Sequence, residues 1–139
     1  MSAIMAVDVG SVRIGLAICE APGVPAMPLE TIAHTSRDRD IQAILQRARE
    51  RDATVIVVGY PLRLDGSAGP AAKRIDAFVA ALRAVFAGTV VVQDERLTTA
   101  AAGRKLRDLD LSGSKKRRLV DQLAAVEILN GYLAVKDRS

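Results

Sequence analysis

Two apolar runs constrain the fold most: "TVIVVGYP" at 54–61 and "TVVVQDE" at 89–95, each preceded by a segment with helical periodicity. A β-branched run without polar alternation suits a strand buried on both faces, in a sheet covered by helices. A strand reached through a helical crossover lies parallel to its predecessor. This part of the chain is therefore expected to be α/β with parallel strands. In open sheets of this kind, sites lie beyond the carboxyl ends of the parallel strands. The residues that end these runs are thus the first candidates for chemistry.

Upstream, "AIMAV" (3–7) is also continuously apolar. "VRIGLAIC" (12–19) follows after "DVGS", where Gly10 allows a tight turn and a hairpin. "PLETIAHT" (28–35) makes a third strand with Pro28 at its beginning. From Ser36 to about Asp52 the pattern is helical, with Ile41, Ile44, Leu45 and Ala48 on one face and Ser36 as N-cap. Pro70 suits the first turn of a helix to about Phe86, whose apolar face is Ile75, Val79, Leu82 and Phe86. Further helices are expected over about 98–108 and 114–136. The expected fold class is α/β: a mixed five-stranded sheet, antiparallel in its first three strands and parallel in the last two, flanked by helices. No repeat or linker interrupts the chain, which reads as one domain over residues 1–139.

Three acids stand where that topology puts sites. Asp8 is the only charge in the first apolar strand and closes it. Asp94 and Glu95 end the last strand, and alternation sends them to opposite faces, so one of the two faces Asp8. Asp121 shares a helix face with Ala125, Ile128 and Tyr132, an otherwise apolar stripe. A carboxylate there needs a cation or a partner, for which Arg117 and Arg118 are at hand one turn earlier. Leu119, Leu123 and Val126 form a second apolar stripe, as on a helix buried on two sides. Carboxylates brought together from distant points suit hard cations, Mg²⁺ or Mn²⁺, which take oxygen ligands and phosphate oxygens. Two such ions serve phosphodiester cleavage. With His34 the single histidine, a pair of histidines as general acid and base is not available.

The basic residues point the same way. The net charge is +4, and "SGSKKRRLVD" sets Lys115, Lys116, Arg117 and Arg118 just before Asp121. Cations at a helix start oppose the dipole, which a phosphate backbone offsets. Arg13 and Arg96 stand near proposed ligands and are further candidates for holding a nucleic-acid strand. Tyr60, Phe78, Phe86 and Tyr132 are the whole aromatic set, too few for a binder built on base stacking. "GYPLRLDGSAGP" has the glycines of an anion loop but lacks the Gly-Lys-Ser/Thr ending of a Walker loop. Cys19 is alone, which rules out a disulfide framework and a cysteine zinc site. No signal peptide or membrane-length apolar run is present, and the expected compartment is the cytoplasm, with no membrane partner.

"DVGSVRIGLA", "VVGYPLRLDGSAGP", "DERLTT" and "KKRRLVDQLAAVEIL", in this order over nearly the whole chain, resemble the successive signatures of the YqgF/RuvX family. The resemblance implies a ribonuclease H-like fold, related to the Holliday junction resolvase RuvC. It also implies a metal-dependent nuclease that matures the 5′ end of the small-subunit (16S) ribosomal RNA precursor. By motif match, Asp8 carries over from "DxG", Glu95 from "DERLT" and Asp121 from "VDxLAA", as catalytic residues and ligands of Mg²⁺ or Mn²⁺. Tyr60, Arg63-Leu64 and Ala101 depart from the usual pattern without touching that triad.

The expected partner is therefore a nucleic acid, structured RNA or branched DNA. A resolvase cutting two strands symmetrically works as a homodimer, whereas RNA trimming needs no symmetry. An ATPase or sugar kinase module also begins with an acid-glycine hairpin, but it needs a second similar domain for which 139 residues leave no room. In a silent RNA-binding domain, three acids beside a polyanion would be a liability.

Overall fold

A computed structural model describes residues 2–61, 65–95 and 113–137. The chain forms β1 (Ala3–Val9), β2 (Arg13–Cys19), β3 (Met27–Ala33), α1 (Arg37–Glu50), β4 (Ala53–Tyr60), α2 (Pro70–Val85), β5 (Thr89–Asp94) and α3 (Ser114–Asp137). The five strands make one sheet in the order β3-β2-β1-β4-β5. β1 pairs antiparallel with β2, and β2 with β3. β1 with β4 and β4 with β5 are parallel. The two crossovers thus do what their helical periodicity predicts, and the meander and the parallel half meet at β1.

Local chemistry accounts for the element ends. Ser36 caps α1, its side chain accepting the Arg39 N–H at 3.2 Å. Pro70 opens α2 after Gly69. The hairpin between β1 and β2 closes with Gly10 N–H donating to Arg13 C=O at 3.0 Å. Gly10 does so without positive φ, which among the described glycines falls to Gly23, Gly66 and Gly113. The expected helix over 98–108 lies outside the described residues.

Helices cover both faces of the sheet. Met5, Val7, Ile56 and Val58 pack with Ile41, Ile44, Val79 and Leu82 under α1 and α2. Ile4, Ala6, Ala17 and Val57 pack with Ala124, Ala125, Ile128 and Leu129 of α3. Small residues on this second face let α3 approach closely. The second stripe on α3 is divided: Val126 packs against this core, while Leu119 is 49% and Leu123 47% exposed. The helix rests on the sheet with its Ala124–Ile128 side. Among the described residues, no helix is long and apolar enough to cross a membrane.

Candidate active site

Strand parity decides which side chains meet. Ile4 and Ala6 face α3, so Asp8, two residues on, faces it as well. Val91 packs on the α3 side too, and Gly131 of α3 lies against the Gln93 side chain, so Glu95 follows on that face and Asp94 on the other. Of the two acids ending β5, Glu95 is therefore the one on the Asp8 side. Its backbone N–H donates to Tyr60 C=O at 3.3 Å, extending the β4–β5 ladder by one rung.

Two glycines place the acids side by side. Asp8 is paired across the hairpin with Gly15, and the Val7–Val58 rung puts Gly59 on its other flank. A Cβ on Gly15 would stand 2.1 Å from the backbone oxygen of Asp121. A Cβ on Gly59 would stand 2.7 Å from Glu95 Oε2 and 2.5 Å from Ile128 Cδ1. The missing side chains thus leave room for Asp121 on one side of Asp8 and for Glu95 on the other. All three carboxylates are buried, at 1% exposure or less. The sequence reading missed both glycines as site residues. Their signal is a glycine inside a strand pattern, which marks close approach of another group.

The cation beside Asp121 is Arg13, whose Nε donates to Oδ2 at 2.6 Å. This corrects the expected partners: Arg117 and Arg118 do not pair with Asp121, and Arg118 instead offers its carbonyl to the Thr31 hydroxyl at 2.7 Å. Arg13, expected to hold nucleic acid, is committed to the acid cluster. Lys115, Lys116 and Arg118 are exposed at the start of α3. Arg96 lies outside the described residues. Tyr60 turns to the α1–α2 face and donates to Asp76 Oδ1 at 2.8 Å, which holds its phenol above the ordinary range. In the loop before α2, Asp65 Oδ1 accepts from Ser67 N–H and Oγ–H at 2.9 and 2.7 Å, a side-chain-closed turn.

The donor set suits a hard divalent cation: buried carboxylate oxygens. In this conformation, no three acidic, histidine or cysteine side chains among the described residues close on one point as ligands. Arg13 supplies positive charge to Asp121 instead. Loss of that pair should cost about 2 kcal/mol in metal-free protein, the scale of a hydrogen bond to a charged group. Arg13→Gln is accordingly expected to lower the urea midpoint in EDTA and to bind Mn²⁺ about tenfold more tightly by calorimetry, since a competing cation is gone. Unchanged Mn²⁺ affinity would show that Arg13 and a metal do not share Asp121.

The family model described as "RuvX: Holliday junction resolvase" matches residues 2–135. The chain belongs to the RuvX family. Among its relatives, a protein of Shouchella clausii named "Putative pre-16S rRNA nuclease" is 44% identical over 128 residues, 91% of this chain and 90% of the relative. One of the same name from Kineococcus radiotolerans is 46% identical over 131 residues, 93% of this chain and 70% of the relative. In three dimensions this RuvX chain is similar to Thermus thermophilus RuvC, with a TM-score of 0.57 at 12% identity over 96% of both chains. The T. thermophilus protein has also been solved with a Holliday junction substrate. The likeness carries the fold, which is the expected ribonuclease H-like one.

Proposed function

We propose that this RuvX protein is a divalent-metal-dependent nuclease that hydrolyses phosphodiester bonds in the 16S ribosomal RNA precursor, near its 5′ end. The observation that carries this reading is the packing of Asp121 and Glu95 over the two glycines that flank Asp8. Burial of three neighbouring carboxylates is costly unless cations offset it. Asp8, Glu95 and Asp121 would hold Mg²⁺ or Mn²⁺, with Asp121 released from Arg13. The bound ions would activate a water and stabilise the leaving oxygen of the scissile strand. Arg13, freed from Asp121, then stands beside the cluster as a donor to a phosphate oxygen, while Lys115, Lys116, Arg117 and Arg118 line the approach along α3. Cytoplasmic location fits a substrate of this kind, and the names of the relatives support RNA as that substrate.

A second reading, resolution of branched DNA, is favoured by the description of the family. The two differ in symmetry, because a resolvase acts as a homodimer on paired strands. The test is cleavage of a labelled 16S precursor end and a four-way DNA junction, with Mg²⁺, Mn²⁺ or EDTA, alongside sedimentation of the protein. Metal-dependent cutting of the RNA is expected. Symmetric cutting of the junction alone, by a dimer, would replace the first reading with the second.

A further inference from the structure

The same end of the sheet carries a second concavity, on the face away from the three acids. A cavity of about 290 Å³ opens between the β1–β2 turn, Pro61 beyond β4, and the first turns of α1 and α2. Its polar lining includes Ser11, His34, Arg37, Asp40 and Arg74, over a floor that includes Ile75 and Phe78. His34 is held in place: Nδ1 is hydrogen-bonded to Oδ2 of Asp40. Asp40 is 3% exposed, and its other oxygen accepts the Thr35 N–H at 3.0 Å. Its charge is thus engaged beneath the ring, and Nε2 is the ring nitrogen left to meet a ligand.

The two arginines are placed against local preference. Arg37 opens α1, whose first turn also carries Asp38 and Asp40, and Arg74 follows the first turn of α2, which contains no acid. Cations near helix N-termini are repelled by the dipole. Both side chains are exposed, and neither forms an ion pair among the described residues. Two guanidinium groups, an oriented imidazole and two helix starts around one cavity make a field that an anion of phosphate size would satisfy. Val9, which lines the cavity, directly follows Asp8 in β1. The cavity and the acid cluster therefore lie on the two sides of one strand end.

We propose that this cavity is a phosphate-binding subsite that takes a backbone phosphate of the nucleic acid flanking the bond cut at the acid cluster. The assignment of the flanking role rests on the nuclease reading. The binding chemistry rests on Arg37, Arg74 and His34 alone. A strand drawn over the sheet end is held on one side of β1 by these residues and cut on the other.

Two measurements on the full chain test it. The first follows the His34 ring and arginine Nε resonances during titration with inorganic phosphate. The second measures binding of a 16S precursor-end oligoribonucleotide in EDTA, by wild type and by an Arg37→Ala/Arg74→Ala variant, over a salt series. Because both arginines are exposed, the variant is expected to fold, which its melting curve checks. Phosphate should shift His34 in wild type and not in the variant. The variant should bind RNA about tenfold more weakly, with a salt slope smaller by about 1.5, two single-strand phosphate contacts' worth. No shift with phosphate would overturn the site. A shift without any change in RNA affinity would overturn the backbone role and identify a pocket for free phosphate or a mononucleotide. A chain that cuts neither substrate yet shows both effects would retain the subsite and remove the nuclease reading.

Discussion

Asp8→Asn should reduce metal-dependent cleavage by roughly a thousandfold, about 4 kcal/mol of transition-state stabilisation. Asparagine keeps the shape of the side chain but not its charge, so the packing against Gly15 and Gly59 survives. On the proposed reading, what is lost is one of three anionic oxygen donors to a hard cation. Stability should move the other way. With Glu95 and Asp121 buried beside it, the Asp8 charge adds repulsion within the cluster. In EDTA the variant is expected to be more stable than wild type by about 1 kcal/mol in urea unfolding. Added Mn²⁺ should raise the wild-type midpoint and leave the variant unmoved, by simple linkage. A variant that cuts at the wild-type rate would sink the three-acid site. One that is inactive and also less stable in EDTA would mean that Asp8 is structural.

Gly15→Ala should be the most damaging single substitution to the fold at the site, at about 3 kcal/mol. The added carbon would lie 2.1 Å from the backbone oxygen and 2.4 Å from the backbone carbon of Asp121. Backbone cannot swing aside as a side-chain end does, so α3 must lift from β2. That strips contact from Ala124, Ala125, Ile128 and Leu129, which form the core on this face. Gly59→Ala is the informative contrast. Its new carbon meets Ile128 Cδ1 and Glu95 Oε2, the ends of flexible side chains. It should cost about 1 kcal/mol in stability. Cleavage, however, should fall by about a hundredfold, because Glu95 is pushed out of register with Asp8. Urea unfolding and single-turnover cleavage of both variants separate the two effects. A Gly15→Ala protein as stable as wild type would contradict the close seat of α3.

Much of this was legible in the chain itself. The periodicity of residues 36–52 and 70–86 between apolar runs determined two crossovers, and hence the parallel half of the sheet. Asp8, at the end of a strand with no other charge, declared itself by position. Strand parity separated Asp94 from Glu95, although which of them faced Asp8 needed the neighbours of β5. These properties are local: a helix or strand repeats along its own sequence, and the pattern shows its buried face.

The tertiary structure decided the rest. Asp121 and its cation Arg13 are 108 residues apart, while Arg117 and Arg118 lie one turn away and are not its partners. On α3 the sequence offers two apolar stripes, and only packing chose the one carrying Asp121, leaving Leu119 and Leu123 half-exposed. Gly15 and Gly59 look alike in their strands until α3 and Glu95 are laid over them. The His34–Asp40 pair sits within six residues in sequence, yet its cavity exists only where two helix starts and the β1–β2 turn converge. Each of these depends on inter-strand register and on where one helix crosses the sheet. No periodicity within a segment encodes either; they follow from how the segments bury one another.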